Sequence, residues 1–133
     1  MSRQVRGRCL CGAVQFHLDG KELSEVTLCH CGMCRRWHGH IGAYTDVPRS
    51  ALIFDQQGDL TWWPSSSFAR RGFCRKCGSS LFWDAPERDT ISIAAGTLEQ
   101  PTGLKTSLQI FTEDRGDYYD LDRSIPIRPK SSA

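Results

Sequence analysis

Seven cysteines fall into three tight groups: Cys9 and Cys11 around Leu10, then Cys29, Cys31 and Cys34, then Cys74 and Cys77 around two basic residues. This clustering constrains the fold more than any hydrophobic pattern in the chain. Thiols so close in sequence make sense chiefly as metal ligands, and glycines at 7, 12, 32 and 78 supply turns tight enough to bring paired sulfurs to one ion. The cysteine number is odd, and residues 1–6 lack the apolar run of an export signal. Reduced thiols holding metal, in a cytoplasmic protein, are therefore expected rather than a secreted disulfide framework.

If Cys29 and Cys31 lie on one strand, their side chains share a face, and a turn at Gly32 swings Cys34 back to meet them. His30 then points away from both sulfurs. The result is three ligands and an open fourth position, which admits substrate or water, whereas structural zinc sites usually have four protein ligands. Spacing alone permits several divisions of the seven cysteines. Four plus three is preferred, because joining Cys9 and Cys11 to Cys74 and Cys77 ties distant segments together, where a structural site gains most. The trio could instead share a ligand with one of the pairs, or a single four-thiol site could leave spectators. His38 and His40 are the nearest rivals for a fourth ligand at the trio, with a polar rim bonded to the backbone as their preferred role.

The rest of the chain reads as short β segments. Val14, Phe16 and Leu18 alternate with polar residues, and strands are expected near 26–31, 41–47, 52–54, 60–63, 68–73, 81–83, 91–95 and 108–111. A single helical turn is expected over 35–40, and no segment has the pattern of a long amphipathic helix. At 133 residues the chain fits one domain, 1–133, with a flexible tail at 124–133. The formal net charge is +2, so there is no strong electrostatic case for nucleic acid or an anionic membrane, and no apolar run is long enough to span a bilayer.

Three ordered motifs carry a resemblance: GRCLCGAVQF at 7–16, CHCGMCRR at 29–36 and RGFCRKCGSSLF at 71–82. With a weaker similarity over 96–126, the chain resembles the glutathione-dependent formaldehyde-activating enzymes, a family that includes centromere protein V-like proteins. The resemblance implies a mainly β fold, a complex arrangement of several coiled antiparallel β-sheets with a structural zinc on Cys9, Cys11, Cys74 and Cys77. It also implies a second, catalytic zinc on Cys29, Cys31 and Cys34. The implied activity is a carbon–sulfur lyase reaction that joins glutathione and formaldehyde into S-hydroxymethylglutathione, or cleaves that adduct. Two positions depart from the family pattern. Gln109 stands where a histidine is common, and Trp63 where a tyrosine is frequent, so the substrate can differ.

A free thiol, with a pKa of about 8.5, is mostly protonated at neutral pH, and zinc coordination deprotonates it. Three thiolates outnumber the two charges of a zinc ion, so Arg35 and Arg36, directly after Cys34, are expected to compensate charge and contact glutathione, with Arg35 also acting in catalysis. Arg70 and Arg71 divide evenly between surface and functional roles, and Trp37, Trp62, Trp63, Trp83 and Phe82 are assigned to packing. Within the same site, either the substrate thiol fills the open position or the metal activates water or a carbonyl. Outside that chemistry stand a non-catalytic zinc-stabilised interaction module and a redox pair at Cys74 and Cys77, the latter without a thioredoxin-like βαβ context.

Overall fold

A computed structural model describes residues 3–131 of the chain. Ten strands and one α-helix follow in order: β1 Gln4–Arg8, β2 Gln15–Asp19, β3 Val26–Cys29, α1 Gly32–His38, β4 Gly42–Pro48, β5 Ile53–Gln56, β6 Leu60–Pro64, β7 Arg70–Cys74, β8 Ser80–Asp84, β9 Thr90–Ala94 and β10 Thr106–Ile110. They form a three-stranded sheet, β1-β2-β5, and a seven-stranded sheet, β10-β3-β4-β9-β8-β7-β6. The mainly β, multi-sheet architecture agrees with expectation. One pairing departs from a purely antiparallel arrangement, since β10 lies parallel to β3 at the edge of the large sheet.

Alternation along the strands places the core. Val5 and Gly7 of β1 and Phe16 and Leu18 of β2 turn inward against polar outward neighbours. Phe16 and Phe54 from the small sheet meet Phe82 from the large one, at ring separations of 5.2 Å (Phe16 to Phe82) and 5.6 Å (Phe54 to Phe82). Val47, Leu81, Ile91 and Ile93 complete that core. The opposite face of the large sheet carries Tyr44, Arg71 and Phe73, and α1 packs onto it. Trp37 of α1 stacks on Trp63 at 6.0 Å and meets Phe73 edge-on at 5.8 Å.

The segment expected to be a flexible tail is hydrogen-bonded where it follows β10. Gln109 N–H donates to Pro126 O, Arg128 N–H to Gln109 O and Phe111 N–H to Lys130 O. Residues 132 and 133 lie outside the described residues. No helix among the described residues is long and apolar enough to cross a membrane.

Candidate metal centres and the site around Cys34

Two turns assemble the first thiol cluster. Cys9 follows β1 and Cys74 ends β7, and each turn closes on a glycine in the left-handed region, Gly12 at φ 82° and Gly78 at φ 80°. Gly12 N–H reaches Cys9 O, and Gly78 N–H reaches Cys74 O at 2.7 Å. A β-carbon would strain both backbones, which is why glycine occupies these positions. Leu10 N–H donates to Ser79 Oγ at 3.0 Å and clips the two turns together. The sulfurs of Cys9, Cys11, Cys74 and Cys77 all lie within 4.8 Å of one another.

The spacing suits a tetrahedral metal. Cys9 Sγ and Cys11 Sγ are 3.7 Å apart, and Cys11 Sγ and Cys74 Sγ 3.8 Å. Tetrahedral zinc with metal–sulfur bonds of about 2.3 Å places its sulfurs about 3.8 Å apart, far beyond the disulfide length of about 2.05 Å. Hydrogen bonds from the Ser79 side chain and backbone draw the Cys77 thiol down to about 5. It is thus readily in the thiolate form that a metal requires.

The second cluster is built differently from the strand-and-turn expected. Cys29 ends β3, Cys31 is the N-cap of α1, and Cys34 lies inside the helix. Cys31 Sγ accepts from Cys34 N–H at 3.3 Å, so a helix start rather than a turn at Gly32 brings the third sulfur round. All three sulfurs lie within 4.8 Å of one another. Side-chain hydrogen bonds from Cys29 and then Cys34 hold the Cys31 thiol far below its usual range, and the contacts with Cys31 and Cys34 push Cys29 far above it. Without a cation the trio readily gives up one proton and resists losing the next. A soft divalent ion is what would let three thiolates coexist there.

Arg71 is the guanidinium that meets these sulfurs. It is 3% exposed, and both terminal nitrogens donate to Cys34 Sγ, at 3.8 and 3.7 Å. One of them also donates to the Tyr44 hydroxyl at 3.3 Å. Among the described residues it has no carboxylate partner, so the negative charge that offsets its burial comes from the sulfur cluster. Arg70, its neighbour, instead joins Arg49 in an ion pair with the fully buried Asp84. Strand alternation separates the two arginines onto opposite faces, which nothing in the local sequence distinguishes.

Arg35 and Arg36 are less engaged with the sulfurs than expected. Arg36 is exposed, Arg35 is half-buried, and neither donates to a cluster sulfur among the described residues. The Nε of Arg35 is buried without a hydrogen-bond partner. His38 and His40 bond to tyrosines rather than to the backbone: His38 Nε2 meets Tyr44 Oη at 2.5 Å, and His40 Nδ1 meets Tyr118 Oη at 2.8 Å. Burial, then the Arg71 charge, lowers His38 to about 4, so it is neutral and Nε2 accepts the Tyr44 proton. Burial, then the charge at Cys34, keeps the Tyr44 phenol protonated.

His30 points away from the sulfurs into a buried chain that sequence reading missed. Its Nε2 meets Gln109 Oε1 at 2.8 Å and its Nδ1 meets Tyr119 Oη at 2.7 Å. Gln109 Nε2 donates to Asp122 O, so its oxygen accepts from His30 Nε2–H and the Tyr119 hydroxyl donates to Nδ1. The one available hint was a polar residue inside the apolar run Leu108–Ile110. It was legible as a departure from a pattern but not as a contact.

The fold and the two thiol clusters define a mainly β protein with two sites of metal-ligand geometry. Residues 4–114 match the sequence profile described as "Glutathione-dependent formaldehyde-activating enzyme", and the chain belongs to that family. It is 26% identical over 120 residues to an uncharacterized lyase of Schizosaccharomyces pombe, covering 89% of this chain and 85% of that protein. The crystal structure of a Rhodobacter sphaeroides protein, 24% identical, superposes with a TM-score of 0.60 over 71% of this chain and 88% of that one, a likeness of fold.

Proposed function

We propose that the protein is a zinc-dependent carbon–sulfur lyase that joins or cleaves glutathione and a small aldehyde, with formaldehyde the family's example. The observation that carries this reading is the buried Arg71 guanidinium, which meets the Cys34 sulfur of the Cys29–Cys31–Cys34 cluster and, among the described residues, no carboxylate. Such an arrangement suits a thiolate site that holds zinc and leaves one coordination position to an incoming ligand. The tetrathiol cluster of Cys9, Cys11, Cys74 and Cys77 would hold a structural zinc.

When bound by the trio, zinc supplies a Lewis-acidic position beside the three sulfurs. In the joining direction a sulfur–carbon bond forms, the carbonyl π bond opens, the thiol loses its proton and the oxygen gains one. Arg71 offsets the excess thiolate charge and fixes the Cys34 sulfur. Tyr44, hydrogen-bonded to Arg71 and His38, holds a proton at its phenol oxygen close to that cluster. Arg35, with a buried Nε that has no hydrogen-bond partner among the described residues, is suited to a substrate carboxylate, while Arg36 is a weaker candidate. The reduced thiols fit a cytoplasmic setting.

The test pairs metal content with turnover. The purified protein should carry two zinc ions per chain and accelerate adduct formation above the uncatalysed rate. Replacing Cys29, Cys31 and Cys34 by Ser should leave one zinc and no acceleration. One zinc in both proteins, or full turnover in Cys31→Ser with zinc unchanged, would sink the catalytic reading and leave a zinc-stabilised interaction module.

A further inference from the structure

The loop at 115–122 sets two adjacent tyrosines against the two ends of the segment that carries the cysteine trio. Tyr119 Oη bonds to His30 Nδ1 at 2.7 Å, between Cys29 and Cys31, and Tyr118 Oη meets His40 Nδ1 at 2.8 Å, just beyond α1. Ring contacts accompany both bonds. Tyr119 lies nearly parallel to His30 with centroids 5.6 Å apart, and His40 meets Tyr119 edge-on at 4.9 Å. Gly116 lies beneath the pair, where a β-carbon would collide with the Tyr118 ring. The two ends differ in burial: His30 is 2% exposed, whereas His40 and Tyr118 face solvent. Three polar groups of His30 point at β10 and this loop. Its backbone N–H donates to Ile110 O at 3.1 Å, its Nε2–H donates to Gln109 Oε1, and its Nδ1 accepts from Tyr119. Gln109 is itself buried and fixed, donating from Nε2 to Asp122 O.

We propose that Tyr119 and Gln109, acting through His30, are positioning residues for the trio: they fix the turn between Cys29 and Cys31 and thereby the affinity of the three sulfurs for a thiophilic divalent ion. The inference rests on the trio being a metal site, which is part of the reading above, and not on any reaction there. Cys29 ends β3 and Cys31 caps α1, so the course of the chain at His30 sets how their sulfurs face each other. Thiolates repel one another until a cation arrives, and a site that must first be gathered binds more weakly than one already set. The amide of Gln109 suits this task. Its tip accepts from the imidazole N–H and donates to a carbonyl at once, which leaves Nδ1 as the acceptor for the Tyr119 hydroxyl. Without that hydroxyl, Nδ1 is buried with no donor and out of reach of water. The ring relieves this only by moving, with Cys29 and Cys31 attached. At the other end, water replaces the Tyr118 hydroxyl on exposed His40 at little cost.

The test reads metal rather than turnover. Tyr119→Phe, Gln109→Leu and Tyr118→Phe are made in the full chain, and zinc affinity is measured by chelator competition, with the tetrathiol site as the control for folding. Cobalt(II) loading adds a spectroscopic readout. Its thiolate charge-transfer band, after subtraction of the spectrum of the Cys29, Cys31 and Cys34 triple serine variant, reports the geometry of the trio alone. Positioning predicts that Tyr119→Phe and Gln109→Leu each weaken zinc at the trio about tenfold and alter that band, while tetrathiol affinity stays within about twofold. Tyr118→Phe should change neither. Trio affinity within about twofold of wild type in both Tyr119→Phe and Gln109→Leu would overturn the inference, even in a protein that turns over a thiol and an aldehyde. An equal loss in Tyr118→Phe would overturn it too, since loosening of the loop and not the His30 bond would then set the affinity. The predicted losses in a protein that accelerates no thiol–aldehyde reaction would uphold the positioning role and overturn the lyase reading. A wild-type trio that takes up neither zinc nor cobalt would overturn both.

Discussion

A guanidinium removed from water has to find negative charge close by, and among the described residues Arg71 finds it in sulfur and in no carboxylate. Its role is therefore testable without any substrate. Arg71→Gln should weaken zinc binding at the trio by about tenfold or more, because a charge-assisted contact is lost. The tetrathiol site should be unaffected, and Arg71→Lys should recover part of the loss, since an ammonium restores the charge but not the two-nitrogen geometry. Chelator competition on the loaded protein reads both sites separately. Equal zinc affinities in wild type and Arg71→Gln would show that the cluster does not depend on this cation. At the same scale, the sequence offered Arg35, Arg36, Arg70 and Arg71 as near equivalents. Their separation into half-buried, exposed, carboxylate-paired and sulfur-facing groups depends on which strand face or helix side each occupies.

Strands β1 and β2 show how one side chain's absence sets a packing distance. Gly7 pairs with Phe16 across the small sheet, and a β-carbon on Gly7 would stand 2.3 Å from the Phe16 ring. That ring is fully buried against Phe54 and Phe82 and has nowhere to go. Gly7→Ala should cost about 2 kcal/mol in urea unfolding, as overpacking of a core does. A loss indistinguishable from zero would mean that the sheets slide apart freely at this point. The β segments themselves were legible from alternation at Phe16 and Leu18 and from the turn residues between them. The sequence pattern places a helical turn at 35–40, whereas α1 spans Gly32–His38, because its first turn is nucleated by a Cys31 cap. A sulfur acceptor is not among the usual capping signals.

For the molecule as a whole, the tetrathiol cluster joins the turn after the first strand to the β7–β8 turn of the large sheet. Stripping metal from this site, or replacing Cys11 and Cys77 by Ser, should lower the melting temperature by about 10 °C or more, since binding energy at such sites is folding energy. Amide exchange should rise first in β1 and β2. A melting temperature unchanged by chelation would show that the Phe16, Phe54 and Phe82 core holds the sheets together unaided. Sequence alone determined the grouping of the seven cysteines, the glycines that let their turns close and the short alternating strands, because these depend on chain-local geometry. Only the tertiary structure decided that Arg71 faces Cys34, that Gln109 reaches His30 and that the tail lies along β10. Those contacts join residues 37, 79 and about twenty positions apart. Burial then gives them their chemistry, since a charge or amide removed from water is constrained by whatever partner the fold places beside it.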